Sequence, residues 1–137
     1  MDDTKKEIEV SLTISRDTLE NIFITALEGG SNYWYFLPNK TVKLVRRLVP
    51  KENDECLSTA IFKAVFDLDA TLSVHDLENP DEEIGLLRAE TMAKRIGELL
   101  KDESYRKALL AEMNGDGDVN TSDIVFQYIT IGEVMFS

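Results

Sequence analysis

The densest set of oxygen-bearing side chains lies in the run EMNGDGDVNTSD, Glu112 to Asp123. A twelve-residue calcium loop needs oxygens at positions 1, 3, 5, 7, 9 and 12, with glycine at 6 for a sharp turn. Counted from Glu112, those places hold Glu112, Asn114, Asp116, Asp118 through its carbonyl, Asn120 and Asp123, and Gly117 is sixth. This set is the candidate metal site, with Ca2+ as its cofactor. Two places depart from the pattern: position 12 is Asp rather than the longer bidentate Glu, and position 1 is a Glu, longer than the usual entry ligand. The same run also reads as a plain turn between helices, with Asn and Gly supplying positive φ and Thr121 or Ser122 capping the next helix.

The other reactive side chains are isolated. His75 is the only imidazole, next to Asp76. An Asp-assisted general base needs the two on one face, whereas neighbours on a strand point to opposite faces. No Ser or Cys stands out beside it as a nucleophile, and one His cannot form a metal triad. Cys56 is the single cysteine, so no internal disulfide forms, and without adjacent positive charge it is expected as a small core residue. No glycine-rich phosphate loop occurs, so no catalytic residue is assigned. The last apolar segment carries Asp123, Gln127 and Thr130 on a strip about 60° wide at 100° per residue. A buried Gln must find partners, and Glu28, Asn32, the Trp34 indole N–H and Asp76 are the candidates. The strip is a structural network, a water-facing stripe or a small pocket.

Among the elements that must position these residues, Glu7–Ile14 alternates strictly and predicts a half-buried strand. Asp17-x-x-Glu20 predicts a capping box opening a helix, which Gly29–Gly30 should stop because one of them adopts positive φ. Tyr33–Phe36 predicts a second strand, ended by Pro38. Lys40–Val49 predicts a helix capped by Asn39, with Lys40, Lys43, Arg46 and Arg47 opposite an apolar side. This only basic patch is a solvent face, a phosphate holder or a partner for the acidic half. A loop over 51–55 leads to Leu57–Phe66, which suits a helix or, on its β-branched content, a strand, and Thr71–Leu77 predicts a third strand. The acidic turn Glu78–Glu83 then leads to a helix over Arg88–Lys101, whose Ala89, Met92, Ala93, Ile96, Leu99 and Leu100 form one apolar stripe. A helix restarted by Asp102 or Ser104 and running through Met113, and a buried one from about Thr121, complete the chain. The expectation is one α+β domain over residues 1–137, a small antiparallel sheet of three to four strands packed with four to five helices.

Charge divides the chain unevenly. The net charge is −11, yet residues 1–50 hold seven acids and seven bases, whereas 51–137 hold nineteen acids and eight bases. Such a field repels nucleic-acid and membrane surfaces and attracts basic proteins. It is either a solvated, solubilising surface or an acidic face, with Glu78, Asp81, Glu82 and Glu83 its densest part. No apolar stretch is long enough for a membrane span, and residues 1–10 lack an apolar signal core, so a cytoplasmic setting is expected.

Two segments carry resemblances. The 112–123 spacing resembles a dockerin or EF-hand loop and implies, as one alternative, a calcium-binding module that docks a protein, though dockerins carry two such loops and this chain has one. Separately, Ala26-Leu27-Glu28-Gly29-Gly30-Ser31-Asn32-Tyr33-Trp34 resembles the ALEGG-x-x-YW segment of small acidic phage and prophage proteins. Asp123-Ile-Val-Phe-Gln127-Tyr-Ile-Thr-Ile-Gly132-Glu133-Val134 resembles their closing helix and tail. The middle of the chain matches only as a strand ending in Asp76. This resemblance implies genomic context rather than chemistry, with Glu28, Asn32, Trp34, Asp76, Gln127 and Glu133 as binding candidates. A small acidic phage protein without an enzyme signature is expected to be a non-catalytic accessory protein in the bacterial cytoplasm. It would bind and inhibit host defence machinery, either as an anti-CRISPR-like inhibitor seated in the basic groove of a nucleic-acid-binding effector or as a sponge for a signalling nucleotide. In the second case the aromatic strand would stack the base. Neither direct nucleic-acid binding nor membrane contact is expected.

Overall fold

Eight of the twelve residues of one helix, Val119–Thr130, are buried, and the rest of the chain is arranged around it. The computed structural model describes residues 11–50 and 55–137. In chain order these form α1 (Arg16–Thr25), a single wide π turn (Ala26–Gly30), β1 (Tyr35–Phe36), α2 (Asn39–Leu48), α3 (Leu57–Phe66), β2 (Leu72–Asp76), β3 (Glu83–Leu87), α4 (Ala89–Leu100), α5 (Arg106–Met113) and the central α6 (Val119–Thr130). The α+β class is as expected, with six helices and one antiparallel sheet in the order β1-β2-β3. Helix α6 packs on α1, the π turn, α4, α5 and β3, while α3 covers α1 and α2. Among the described residues no helix is long and apolar enough to cross a membrane.

Periodicity positions most helices correctly, and the differences have local causes. Of the strand expected over residues 7–14, residues 7–10 lie outside the described residues and 11–14 are irregular. Helix α1 is capped by Ser15, whose hydroxyl accepts from the Thr18 N–H at 3.1 Å, so Asp17 sits in the first turn and is not the cap. Neither Gly29 nor Gly30 has positive φ. The helix ends instead by widening: the Ser31 N–H donates to the Ala26 carbonyl at 2.8 Å, a five-residue step. Gly30 permits this because a Cβ there would stand 2.6 Å from the Val119 carbonyl oxygen at the start of α6. The Leu27 carbonyl accepts from the Tyr35 hydroxyl at 2.6 Å.

The expected second strand shrinks to Tyr35–Phe36, because Trp34 turns inward and is 1% exposed. Pro38, not Asn39, occupies the position before α2, and Asn39 begins the helix. Cys56 is exposed at the start of α3 rather than in the core. Strand β3 was not expected. Its alternation is broken by Gly85 and by a bulge: Val74 pairs with Gly85 and His75 with Glu83, leaving Ile84 as the extra residue. The α4 stripe is only partly covered. Met92 and Leu99 are buried, but Ala89, Met92, Ala93, Ile96 and Leu100 line an open apolar groove of about 440 Å³ together with Leu12, Ile14 and Phe66.

Candidate functional site

Two groups of acids occupy opposite environments. The first is the β2–β3 hairpin, where Asp76, Glu78, Asp81, Glu82 and Glu83 fall within eight residues and all but Asp76 are exposed. Its connection is braced by short bonds. The Asp76 N–H donates to the Glu82 carbonyl at 3.0 Å, the Glu82 N–H to the Asn79 carbonyl at 2.9 Å, and the Asp76 carboxylate accepts from the Glu78 N–H at 2.9 Å. The Asn79 amide donates to the Glu82 carboxylate at 3.1 Å. Nδ1 of His75 donates to the Pro80 carbonyl at 2.6 Å, which clamps the ring across the turn. Ser73 does lie beside His75, with its Oγ 2.9 Å from Nε2, so the expectation of no neighbouring hydroxyl is corrected. That hydroxyl donates to the Glu83 carboxylate, which draws its proton away from the ring. Leu77, 42% exposed, and the exposed Leu86 add apolar surface to this acidic projection.

The second group centres on Asp123, which is buried on α6. One carboxylate oxygen accepts from the Ser31 hydroxyl at 2.7 Å and the Trp34 indole N–H at 2.8 Å. The other accepts from the Tyr33 hydroxyl at 2.6 Å and the Gln127 amide at 3.2 Å. The π turn makes this possible by delivering Ser31, Tyr33 and Trp34 to one side of α6. Burial of its hydroxyl end, and then the bond to Asp123, push the Tyr33 phenol well above its ordinary range.

Gln127 is 0% exposed and uses both ends of its amide. Its oxygen accepts from the Met135 and Phe136 N–H groups at 2.9 and 3.0 Å, and its nitrogen donates to the Phe136 carbonyl at 3.1 Å as well as to Asp123. Thus the polar strip on α6 is an internal network, and of the four partners expected for Gln127 only Trp34 belongs to it, through the shared carboxylate. Thr130, the third member of the strip, is buried with its hydroxyl unpaired among the described residues. Its carbonyl abuts Gly85 of β3.

The remaining candidates are dispersed. Glu28 is exposed and accepts from Ser58 of α3, while Asn32 and Glu133 face solvent. Asp76 joins the Trp34 region only through the sheet, where Tyr35 pairs with Asp76 and the Leu77 N–H donates to the Trp34 carbonyl at 2.8 Å.

The 112–123 oxygens serve several separate roles. Glu112 accepts from the Thr121 and Ser122 hydroxyls, and Asn114 closes α5. Asp118, rather than Thr121 or Ser122, caps α6 in a reciprocal pair with Thr121. Asp116 and Asn120 are exposed, and Asp123 points into the core. Among the described residues no three His, Cys, Asp or Glu side chains are grouped to hold a metal ion. Within the aromatic segment expected to stack a nucleotide base, one face of the Trp34 indole carries the Phe136 ring, with centroids 5.2 Å apart and planes 5° from parallel.

A third acid is marked in the sequence only as a candidate to restart the helix that runs through Met113. Asp102, between α4 and α5, accepts from the Tyr128 hydroxyl and from the Ser104 and Tyr105 N–H groups at 2.9 and 3.2 Å. The Tyr128 bond, then the backbone donors, hold this carboxyl below its ordinary range, and the same bond with Asp102 raises the Tyr128 phenol to about 12. Its bond to Tyr128 could have been signalled only by a tyrosine on an otherwise buried helix, whose hydroxyl must find a partner. Comparison of the chain with protein-family models, with curated proteins and with solved structures gives no match.

Proposed function

We propose that this chain is a non-catalytic accessory protein that binds a basic, nucleic-acid-binding host protein through the acidic β2–β3 hairpin and thereby inhibits it. The observation that carries the reading is that this projection is charged and braced, yet forms no ion pair among the described residues. The four ion pairs among the described residues join Arg16 to Asp67, Lys63 to Glu55, Arg88 to Glu90 and Arg106 to Glu103, and none involves a hairpin acid. Carboxylates held in place by turn hydrogen bonds lose little freedom on docking, which favours affinity. Leu77 offers an apolar contact amid the charge. A groove lined by Lys and Arg to hold a phosphate backbone would meet the same array of negative charge here. The resemblance to small phage proteins supports a host effector, such as an RNA-guided nuclease, as the target.

The test is capture of such an effector by the intact protein and by the triple variant Glu78→Lys, Asp81→Lys, Glu82→Lys, at low and high salt, with duplex DNA as competitor. The expected result is capture at low salt that DNA displaces, high salt weakens and the charge reversal abolishes. Capture indifferent to both DNA and reversal would sink the reading.

A further inference from the structure

The segment 133–137 lies on the body of the protein as a peptide ligand lies on a receptor. It turns away from α6 at Gly132, whose φ is +96°. Among the described residues, every hydrogen bond made by its backbone goes to one side chain, Gln127, which takes two N–H groups and gives one N–H to a carbonyl. Its one aromatic ring, Phe136, lies flat on Trp34. Met135 is 55% exposed, and Glu133 and Ser137 also face outward, whereas Val134 is half-buried and packs against the core beside Phe136. Beside the segment lies a hollow of about 500 Å³ bordered by Tyr33, Tyr105, Asn120 and Ile124. A carboxamide that pairs with main chain next to a flat indole reads two things in an incoming chain: an extended backbone and an aromatic side chain.

We propose that Trp34 and Gln127 form a binding site for an extended segment of the partner protein that carries an aromatic residue flanked by basic ones, and that residues 133–137 occupy this site in cis until displaced. The basic flanks are inferred from charge complementarity, since residues 51–137 carry nineteen acids against eight bases. The acidic hairpin begins next door, with Leu77 bonded to the Trp34 carbonyl. In its choice of a basic partner this inference rests on the proposed function, but the site itself does not. The tethered segment competes at an effective concentration in the millimolar range, so a free peptide succeeds only when the tether is weakened or the peptide binds better.

Trp34 is the only tryptophan, so its fluorescence reports the site directly. The experiment uses the full chain and its Phe136→Ala variant, titrated with blocked pentapeptides: Lys-Val-Met-Phe-Lys, Glu-Val-Met-Phe-Ser, and each with Ala in place of Phe. The expected result is a saturable response of the variant to both Phe peptides, at least about tenfold tighter than in the unaltered chain, as loss of one aromatic stack implies. The Ala peptides give none, and salt weakens only the Lys peptide. A folded variant that ignores both Phe peptides at millimolar concentration overturns the proposal. Should the variant fail to fold, amide exchange in the unaltered chain decides: the Lys peptide must speed exchange at Met135 and Phe136, and unchanged rates overturn the proposal. Binding of the Glu-Val-Met-Phe-Ser peptide together with an ineffective hairpin reversal would leave this site standing and remove the hairpin reading alone.

Discussion

The hairpin acids and Asp123 are the same chemistry placed in opposite solvents. Between Asp76 and Glu83, carboxylates mostly face water and keep their charge available to a partner. On α6, a single carboxylate is enclosed and meets four donors from four side chains, including the indole N–H of Trp34. Acidic residues at the surface thus set what the protein attracts, whereas the one inside fixes how its helix, wide turn and aromatic segment fit together. Net charge, a property of the whole sequence, says nothing about which acid does which.

That contrast is breakable, most severely at Asp123. Asp123→Ala leaves the Ser31 hydroxyl, the Trp34 indole N–H and one N–H of the Gln127 amide buried without an acceptor, and should cost about 3–4 kcal/mol, against no more than about 0.5 kcal/mol for Glu82→Ala. Urea unfolding monitored by circular dichroism measures both, and equal losses would erase the distinction. Gly85→Ala comes next. Its Cβ would stand 2.5 Å from the Thr130 carbonyl oxygen. Overpacking of this kind costs about 1–3 kcal/mol, which the same unfolding experiment reads.

Titration sharpens the comparison with Asp102, an acid that is partly exposed but bonded. Asp102 and Asp67 are both held below the ordinary carboxylate range, by Tyr128 and by Arg16 respectively. Their contribution to stability is therefore complete above about pH 4 and is lost as pH falls through their lowered values. Tyr128 acts at the other limit. Raised to about 12, it contributes fully below about pH 10 and loses that contribution between there and 12. Tyrosinate absorbance at pH 11 should consequently be lower in the folded protein than in the urea-unfolded chain, since Tyr33, Tyr35 and Tyr128 are all shifted upward. The smallest effect belongs to the hairpin. Asp81→Asn with Glu82→Gln relieves like-charge repulsion, and should stabilise the fold by about 0.3 kcal/mol in low salt and not at all at high ionic strength.

Legibility in the sequence depends on whether a residue's role is set by its neighbours along the chain or across the fold. Helices α2, α3 and α4 can be read from apolar spacing because each buries one side, and the strand through His75 from alternation. Strand β3 hides behind its bulge at Ile84 and behind Gly85, which suppress the two-residue period. Asp123 fits a loop pattern through its spacing from Glu112, whereas its partners Ser31 and Trp34 lie some ninety residues earlier. The strip it shares with Gln127 is visible on a helical wheel. The groups that satisfy that strip are not, because three of the amide's partners are backbone groups of Met135 and Phe136, which no side-chain pattern marks. Cys56 misleads for the opposite reason: composition favours burial of a free thiol, but its position just before α3 exposes it.

The wide turn at Ala26–Gly30 also bears on chain length. Deleting one residue there would let the backbone close to an ordinary helical turn and rotate everything after it by about 100°. Ser31 and Trp34 would then swing off Asp123 together, a loss no single substitution in the stretch reproduces. The hairpin tip between Leu77 and Glu82 is held by its own turn hydrogen bonds and by His75, so a change of length there would stay local. Related chains should therefore vary in length at that tip while holding the distance from Leu19 to Trp34 constant to the residue.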